Sequence, residues 1–435
     1  MIPPDRLRSL IQDNPWLEGA DVAAWYRSWL PRSYVPRATR LVADDRVALV
    51  VGPRQAGKST AIWHTLAAAG RPALFLNAEE PAVRSWLVSP ALFLADLAEA
   101  IRPAPAALFF DEVQHVPEAG LFLKGVVDRR PGIPIYATGS SAFHLQSKTR
   151  ESLAGRATRA LMLPFSLDEL EPAGDRTPLA IEKARRARVR ELALTGGYPR
   201  VVTGDDPRKT LAELVEAFIV RDVSDRFRIQ RLAAFRKVLQ LAASQVGNLC
   251  NYSEWAALAE ISNDTVAEYV SLLEETHVLK LVPPFLGGKR AEITSARKAF
   301  FIDNGVRNQL FGGFAPLEDR ADAGALMENL VFTEIWKSVN PLLDSVRYWR
   351  TRSGAEVDFV VEHQGRLAAF EVKLGDARGR VSRSARSFVE AYTPEVFWVV
   401  NAERHPDTAL GPTRVRFVRP DDVAAIVRGF VGSSG

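Results

Sequence analysis

Eight consecutive residues, Gly52-Pro53-Arg54-Gln55-Ala56-Gly57-Lys58-Ser59, carry the spacing G-x-x-x-x-G-K-[ST], and Thr60 extends it. Glycines in such a run let backbone N–H groups curl round phosphate oxygens, and the helix that follows adds the positive end of its dipole. Lys58 can then contact the β and γ phosphates of ATP, and the Ser59 hydroxyl can ligate Mg²⁺. The context fits, because the apolar run VALVV (47–51) precedes the motif and a helical pattern from Ala61 to Ala69 follows it. Further on, Leu108-Phe109-Phe110-Asp111-Glu112 ends an apolar run in two adjacent carboxylates. Asp111 suits the Mg²⁺ shell and Glu112 suits the polarising of an attacking water. A kinase of small molecules does not need the second acid, so hydrolysis is favoured.

A third run, 133–138, leads into Thr138-Gly139-Ser140-Ser141. A hydroxyl here could sense the γ phosphate or orient the water, and spacing does not choose between Thr138, Ser140 and Ser141. Arg150, Arg156 and Arg159 are candidates for an arginine finger acting across a subunit boundary. Thr138 and Arg156 join the phosphate-loop residues as nucleotide-binding candidates.

A second group lies near the carboxyl end. Ala355 to Val361 reads as a strand containing Asp358, a turn follows around Glu362-His363-Gln364-Gly365, and Leu367 to Lys373 reads as its partner. Glu371 and Lys373 are two apart, so a strand points both to one face, and a hairpin would bring Asp358 beside them. Two carboxylates can hold Mg²⁺ with a backbone carbonyl, and Lys373 can orient or polarise a water at a phosphodiester.

The elements that must position these groups follow from periodicity. Short apolar runs at 47–51, 73–76, 107–110, 133–138 and 159–163 alternate with amphipathic stretches, the pattern of buried parallel strands in an α/β layer. Five segments result: a helical leader (1–40), an α/β nucleotide core (41–165), a helical lid or linker (166–246), a helix-turn-helix with a strand-like wing (247–290) and an α/β tail (291–435). The tail has strands near 299–303, 346–350, 357–361, 367–373 and 395–400, and a long helix over 325–339.

The helix-turn-helix pairs Tyr252–Ala259, with Ser253 as the expected N-cap, with a second helix capped by Ser262. Residues 262–275 hold Asp264, Glu268, Glu274 and Glu275 and neither lysine nor arginine, so DNA phosphates would repel this helix. Lys289, Arg290, Arg297 and Lys298 offer a basic edge nearby. A packing module or nonspecific contact is favoured over sequence reading.

Composition agrees with a folded chain: 435 residues, 47% hydrophobic and 25% charged, with a formal net charge of +4. No apolar run approaches the roughly 20 residues of a membrane helix. The amino terminus lacks the apolar core of a secretion signal. One cysteine, Cys250, excludes an internal disulfide framework and fits a reducing cytoplasm.

The segments GPRQAGKST, LFFDE, TGSS and LAGRATRALMLPFSLDEL resemble prokaryotic AAA-family ATPases with a carboxy-terminal DUF4143 domain, from about Tyr34 to Val400. The resemblance implies a P-loop AAA-type ATPase core, a winged-helix segment and a restriction-endonuclease-like α/β tail. The D-x₁₂-E-x-K spacing of Asp358, Glu371 and Lys373 resembles the PD-(D/E)xK nuclease signature, with Val357 in place of its proline. Glu328, in Met327-Glu328-Asn329-Leu330, matches the additional acid of that fold and joins Asp358 and Glu371 as a metal-ligand candidate. The expected protein is a Mg²⁺-dependent ATPase, homo-oligomeric, acting on or with DNA, whose ATP state controls a nuclease-like tail. Two other readings stay open, an ATP-gated interaction switch with an inactive tail and a DNA-remodelling motor without cleavage.

Overall fold

The computed structural model describes the chain apart from residues 1–2, 32–34, 36, 38–40, 42, 141–151, 171–176, 220–222, 224–228, 230, 288–295 and 433–435. Ser141, Arg150, Lys289 and Arg290 therefore lie outside the described residues. The chain forms two compact units, 1–163 with 275–277, and 164–274 with 278–435.

In the first unit five strands form one parallel sheet: β1 (Val47–Gly52), β2 (Ala73–Asn77), β3 (Ala107–Asp111), β4 (Ile135–Ser140) and β5 (Ala157–Leu161). Their order is β2-β3-β4-β1-β5. Every β1 residue is buried, as a central parallel strand covered on both faces requires. The helices Lys58–Ala69, Pro90–Ala100 and Ala119–Asp128 lie between strands. The leader contains the helices Pro4–Asp13 and Val22–Trp29. Trp29 stacks on Trp63 at 4.9 Å between ring centroids, and Trp25 meets the same ring edge-on. Leu10, Trp16, Trp25 and Tyr26 are buried in the core of the sheet unit, so this segment is packed structure.

The order decides the site. β4 lies between β1 and β3, so the phosphate loop after β1 and the carboxylates at the end of β3 flank the tip of β4. All five strands run the same way, and these three tips are carboxyl ends, where open α/β sheets collect ligands.

The second unit begins with helices, among them Pro178–Thr195, Pro207–Ala217 and Leu232–Ser244. The helix pair Tyr252–Ala259 and Asn263–Glu275 follows. Asn251, not Ser253, caps the first of these, its Oδ1 accepting the Glu254 N–H at 3.2 Å. The helix thus starts one residue before the serine. Ser262 Oγ does accept the Thr265 N–H, at 3.1 Å. Strands β6 (Leu279–Val282) and β7 (Lys298–Phe301) then pair antiparallel.

The tail carries a six-stranded mixed sheet in the order β12-β13-β11-β10-β9-β8. Its strands are β8 (Asp344–Arg350), β9 (Glu356–His363), β10 (Arg366–Val372), β11 (Val396–Val400), β12 (His405–Leu410) and β13 (Thr413–Val418). The hairpin of β12 and β13 escaped the sequence reading. β12 is an edge strand with four exposed residues, Pro406 to Ala409, and shows no apolar alternation. The long helix runs Ala323–Ser338, and Phe332 stacks on Phe300 at 4.7 Å and packs near Phe359.

Candidate functional site

Two groups of chemistry-bearing side chains are built, one in each unit. The phosphate loop leaves β1 at Gly52, whose φ is +153° and whose Cβ, if it had one, would sit 2.0 Å from the Met162 carbonyl oxygen. No other residue fits there. Gly57, with φ +90°, turns the chain into the helix that begins at Lys58. Lys58 is buried, its Nζ donating to the carbonyls of Pro53 at 2.9 Å and Gly52 at 3.2 Å. The ammonium thus lies inside the loop that the N–H groups of residues 52–60 define.

Ser59 Oγ donates to Asp111 Oδ1 at 2.8 Å. The Thr138 hydroxyl donates to the same carboxylate oxygen and accepts the Glu112 N–H at 2.9 Å. Thr138 therefore touches both acidic residues; the Ser140 and Ser141 side chains are outside the described residues. Glu112 has a left-handed backbone, φ +54°, and its Oε2 accepts from Gln114 Nε2. Burial pushes the Asp111 carboxyl up to about 6, and the neighbouring Glu112 adds to the rise against hydrogen bonds from Thr138 and Ser59. A hydroxyl and a carboxylate in contact are the donor set a hard divalent cation takes beside phosphate. The residues present therefore fit Mg²⁺.

Arg156 does not join this set within its own chain. It precedes β5, where its carbonyl accepts the Val47 N–H at 2.9 Å, at the amino end of the sheet. Its guanidinium pairs with Asp128 at 2.6 Å. Arg159 lies mid-strand opposite Leu49.

In the second unit the β9–β10 hairpin turns at Gln364 and Gly365, both with positive φ, as a two-residue turn demands. Phe370 pairs with Phe359, so Asp358 and Glu371 stand directly opposite on one face. Asp358 Oδ2 accepts the Val372 N–H at 2.7 Å. Lys373 Nζ is 2.8 Å from Glu371 Oε1, whereas Glu371 Oε2 is buried without a hydrogen-bond partner. Burial pushes the Asp358 carboxyl up to about 8, reinforced by the charge of Glu328.

Lys298 is the residue that sequence reasoning misplaced. It lies outside any basic edge, only 3% exposed, with Nζ 3.2 Å from Glu328 Oε1 and in contact with Glu356 Oε1. Glu328 is thereby committed to an ammonium. Among the described residues no three His, Cys, Asp or Glu side chains converge as metal ligands. The orphaned Glu371 oxygen beside Asp358 still fits Mg²⁺, which needs only one or two carboxylates with water. Glu328 does not complete a three-acid set as expected, because Lys298 occupies it. The run KAF at 298–300 gave no signal of this, since a lysine opening a strand usually faces solvent.

The helix Asn263–Glu275 turns Ser262, Asn263, Asp264 and Glu268 outward and buries Val266, Val270 and Leu273. The Gly196-Gly197-Tyr198-Pro199 turn is architectural, the Gly197 N–H donating to buried Asp303 at 2.7 Å. Burial pushes the Cys250 thiol up to about 12, which leaves it unreactive.

The sequence matches an AAA domain over residues 44–171 and DUF4143, a domain of unknown function, over 323–412. The chain carries a P-loop AAA domain and a DUF4143 domain. Between them, residues 186–317 match DUF8612, another domain of unknown function. Two similar relatives are uncharacterized proteins, Rv2008c of Mycobacterium tuberculosis and Mb2031c of Mycobacterium bovis. Each is 27% identical over 363 residues, covering 82% of this chain and 76% of the relative. Among solved structures, Cdc6p of Pyrobaculum aerophilum is 12% identical and covers 65% of this chain and 89% of its own, at a TM-score of 0.24. Drosophila ORC bound to AT-rich DNA and Cdc6 is 12% identical and covers 71% and 98%, at 0.21. Likeness at those scores carries no argument about function. No helix among the described residues is long and apolar enough to cross a membrane.

Proposed function

We propose that this AAA protein hydrolyses ATP and acts on or with DNA, its nucleotide state controlling a nuclease-like DUF4143 domain. One observation carries the ATPase half. Ser59 and Thr138 share Asp111 Oδ1, and Glu112 is fixed beside them through its own N–H on Thr138. Loop N–H groups and Lys58 would hold the phosphates in place, and Glu112 would accept the proton of the water attacking the γ phosphorus. Mg²⁺, when bound through Ser59 and Asp111, would neutralise charge on the phosphate oxygens. Binding ATP between subunits of a homo-oligomer would let an arginine of one copy complete the site of the next.

The DNA half rests on Asp358, Glu371 and Lys373, which the hairpin gathers in the order of a PD-(D/E)xK signature. Lys373 would orient a water against a phosphodiester held near the two carboxylates. The helix-turn-helix with its strand pair is assigned as a winged helix that packs, because the exposed face of its second helix carries Asp264 and Glu268 and no cation. Lys298 favours a second reading. An ammonium between Glu328 and Glu356 can support an inactive tail, in which the domain binds a partner without cutting.

Glu112→Gln tests the first half. The variant should bind ATP as wild type does, measured by a fluorescent analogue, and hydrolyse it at least about 100-fold more slowly. Hydrolysis at the wild-type rate would remove Glu112 from the role assigned to it.

A further inference from the structure

Strands β10, β11 and β13 run parallel, and their carboxyl ends open on a cleft of about 240 Å³. Leu374, Ala402 and Pro420, which come after these strands, line it, and Val189 and Met327 close it from two helices. Much of the lining is apolar. Its charges are unequal, with Arg186, Arg190, Lys373 and Arg419 facing only Glu318 and Asp421. Apolar walls with a few placed charges, at the carboxyl ends of parallel strands, are the ordinary build of a small-ligand site.

The four cations divide into two kinds. Arg186 is held bidentate by Glu403 at 2.7 and 2.8 Å, and Arg419 is paired with Asp421 at 2.5 Å, so both are neutralised parts of the wall. Arg190 is exposed, and its side chain makes no hydrogen bond or ion pair among the described residues. Lys373 is 47% exposed and has Nζ 2.8 Å from Glu371. One lysine therefore borders both the cleft and the carboxylate pair. An anion reaching the cleft meets Lys373 and Arg190, while an attached apolar body has the slot behind them.

We propose that this cleft binds one unpaired nucleotide of a single-stranded nucleic acid, with its base and sugar against Met327, Leu374 and Pro420 and a flanking phosphate at Arg190 and Lys373. A nucleotide joins a flat, weakly polar ring to an anion, which is the distribution the lining offers. A base stacked and paired in a duplex cannot enter such a slot without leaving its stack, so the cleft selects unpaired strands. This inference rests on the nuclease-like reading only in that the bound strand would pass its next phosphate to Asp358 and Glu371. Binding itself requires neither metal nor cleavage.

The test is fluorescence anisotropy on the full chain in EDTA, comparing a labelled oligothymidylate with a blunt two-strand duplex carrying the same label. The oligothymidylate should bind about tenfold more tightly than the duplex. Ala402→Trp, which fills the slot, and Arg190→Glu, a change at an exposed position that leaves the fold intact, should each weaken oligothymidylate binding about tenfold and leave duplex binding nearly unaffected. Equal affinity for the two forms, or an Arg190→Glu variant that binds oligothymidylate like wild type, overturns the proposal. With metal absent, a failure of the nuclease reading shows separately, as the lack of any Asp358-dependent cleavage once Mn²⁺ is added.

Discussion

Thr138 and Lys298 hold the two sites together by different physics. Thr138 spends its proton on Asp111 and its lone pair on the Glu112 N–H, so one hydroxyl orients both acids. Lys58 is the group an ATP-binding loop cannot lose. Lys58→Ala should abolish nucleotide binding in a fluorescent-analogue titration, and an unchanged affinity would contradict the placement of the phosphates. Lys298 sits among carboxylates in a poorly solvated place, and removing one partner of a buried ion pair strands the other. Lys298→Met should cost about 3–5 kcal/mol in urea unfolding of the second unit. Adding Glu328→Gln should recover part of that loss, because the two side chains share one interaction. Strict additivity of the two changes would mean that the ion pair does not hold the cluster.

At the scale of elements, burial of charge sets a pH dependence. Glu334, in the middle of the helix Ala323–Ser338, is fully buried; its Oε2 accepts the Leu167 N–H at 3.0 Å and its Oε1 has no hydrogen-bond partner. Burial pushes its carboxyl up from 4.5 to about 7. Between those two values the folded chain keeps a proton that the unfolded chain releases. The stabilisation is fully present below 4.5 and is lost as pH rises to 7, on the order of 3 kcal/mol. Glutamine never ionises and can still accept from Leu167. Glu334→Gln should match wild-type Tm at pH 5 and exceed it by about 5 °C at pH 8. The same difference at both pH values would contradict the assignment.

The elements also show what a sequence can and cannot reveal. The phosphate loop, the Asp111-Glu112 pair and the Asp358-Glu371-Lys373 spacing were readable because each is local: a turn, a strand end, a hairpin. Parallel strands such as β1 announced themselves as short apolar runs between helical patterns. Four features needed the fold. That Thr138 reaches Asp111 depended on β4 lying between β1 and β3. Arg156 lies at the amino end of its own sheet, away from the phosphate loop of the same chain, because direction, not spacing, decides which tip a residue shares. Lys298 reached Glu328 and Glu356 across segments remote in sequence, and the edge strand β12 was too polar to register.

In the whole molecule, the unit that holds the AAA domain is followed by a second unit with a carboxylate pair, a bordering cleft and an acidic-faced helix-turn-helix. Each has its own chemistry, and control of one by the other is the claim that matters most. The most direct measurement is steady-state ATP hydrolysis by the purified protein in Mg²⁺ and Mn²⁺, with and without single-stranded, duplex and branched DNA, the same reactions being run on a gel. The account predicts hydrolysis stimulated by DNA containing unpaired strands, lost in Glu112→Gln, with cleavage that disappears in Asp358→Ala. Steady hydrolysis indifferent to every DNA form, with no cutting, would contradict it and leave an ATP-gated protein switch.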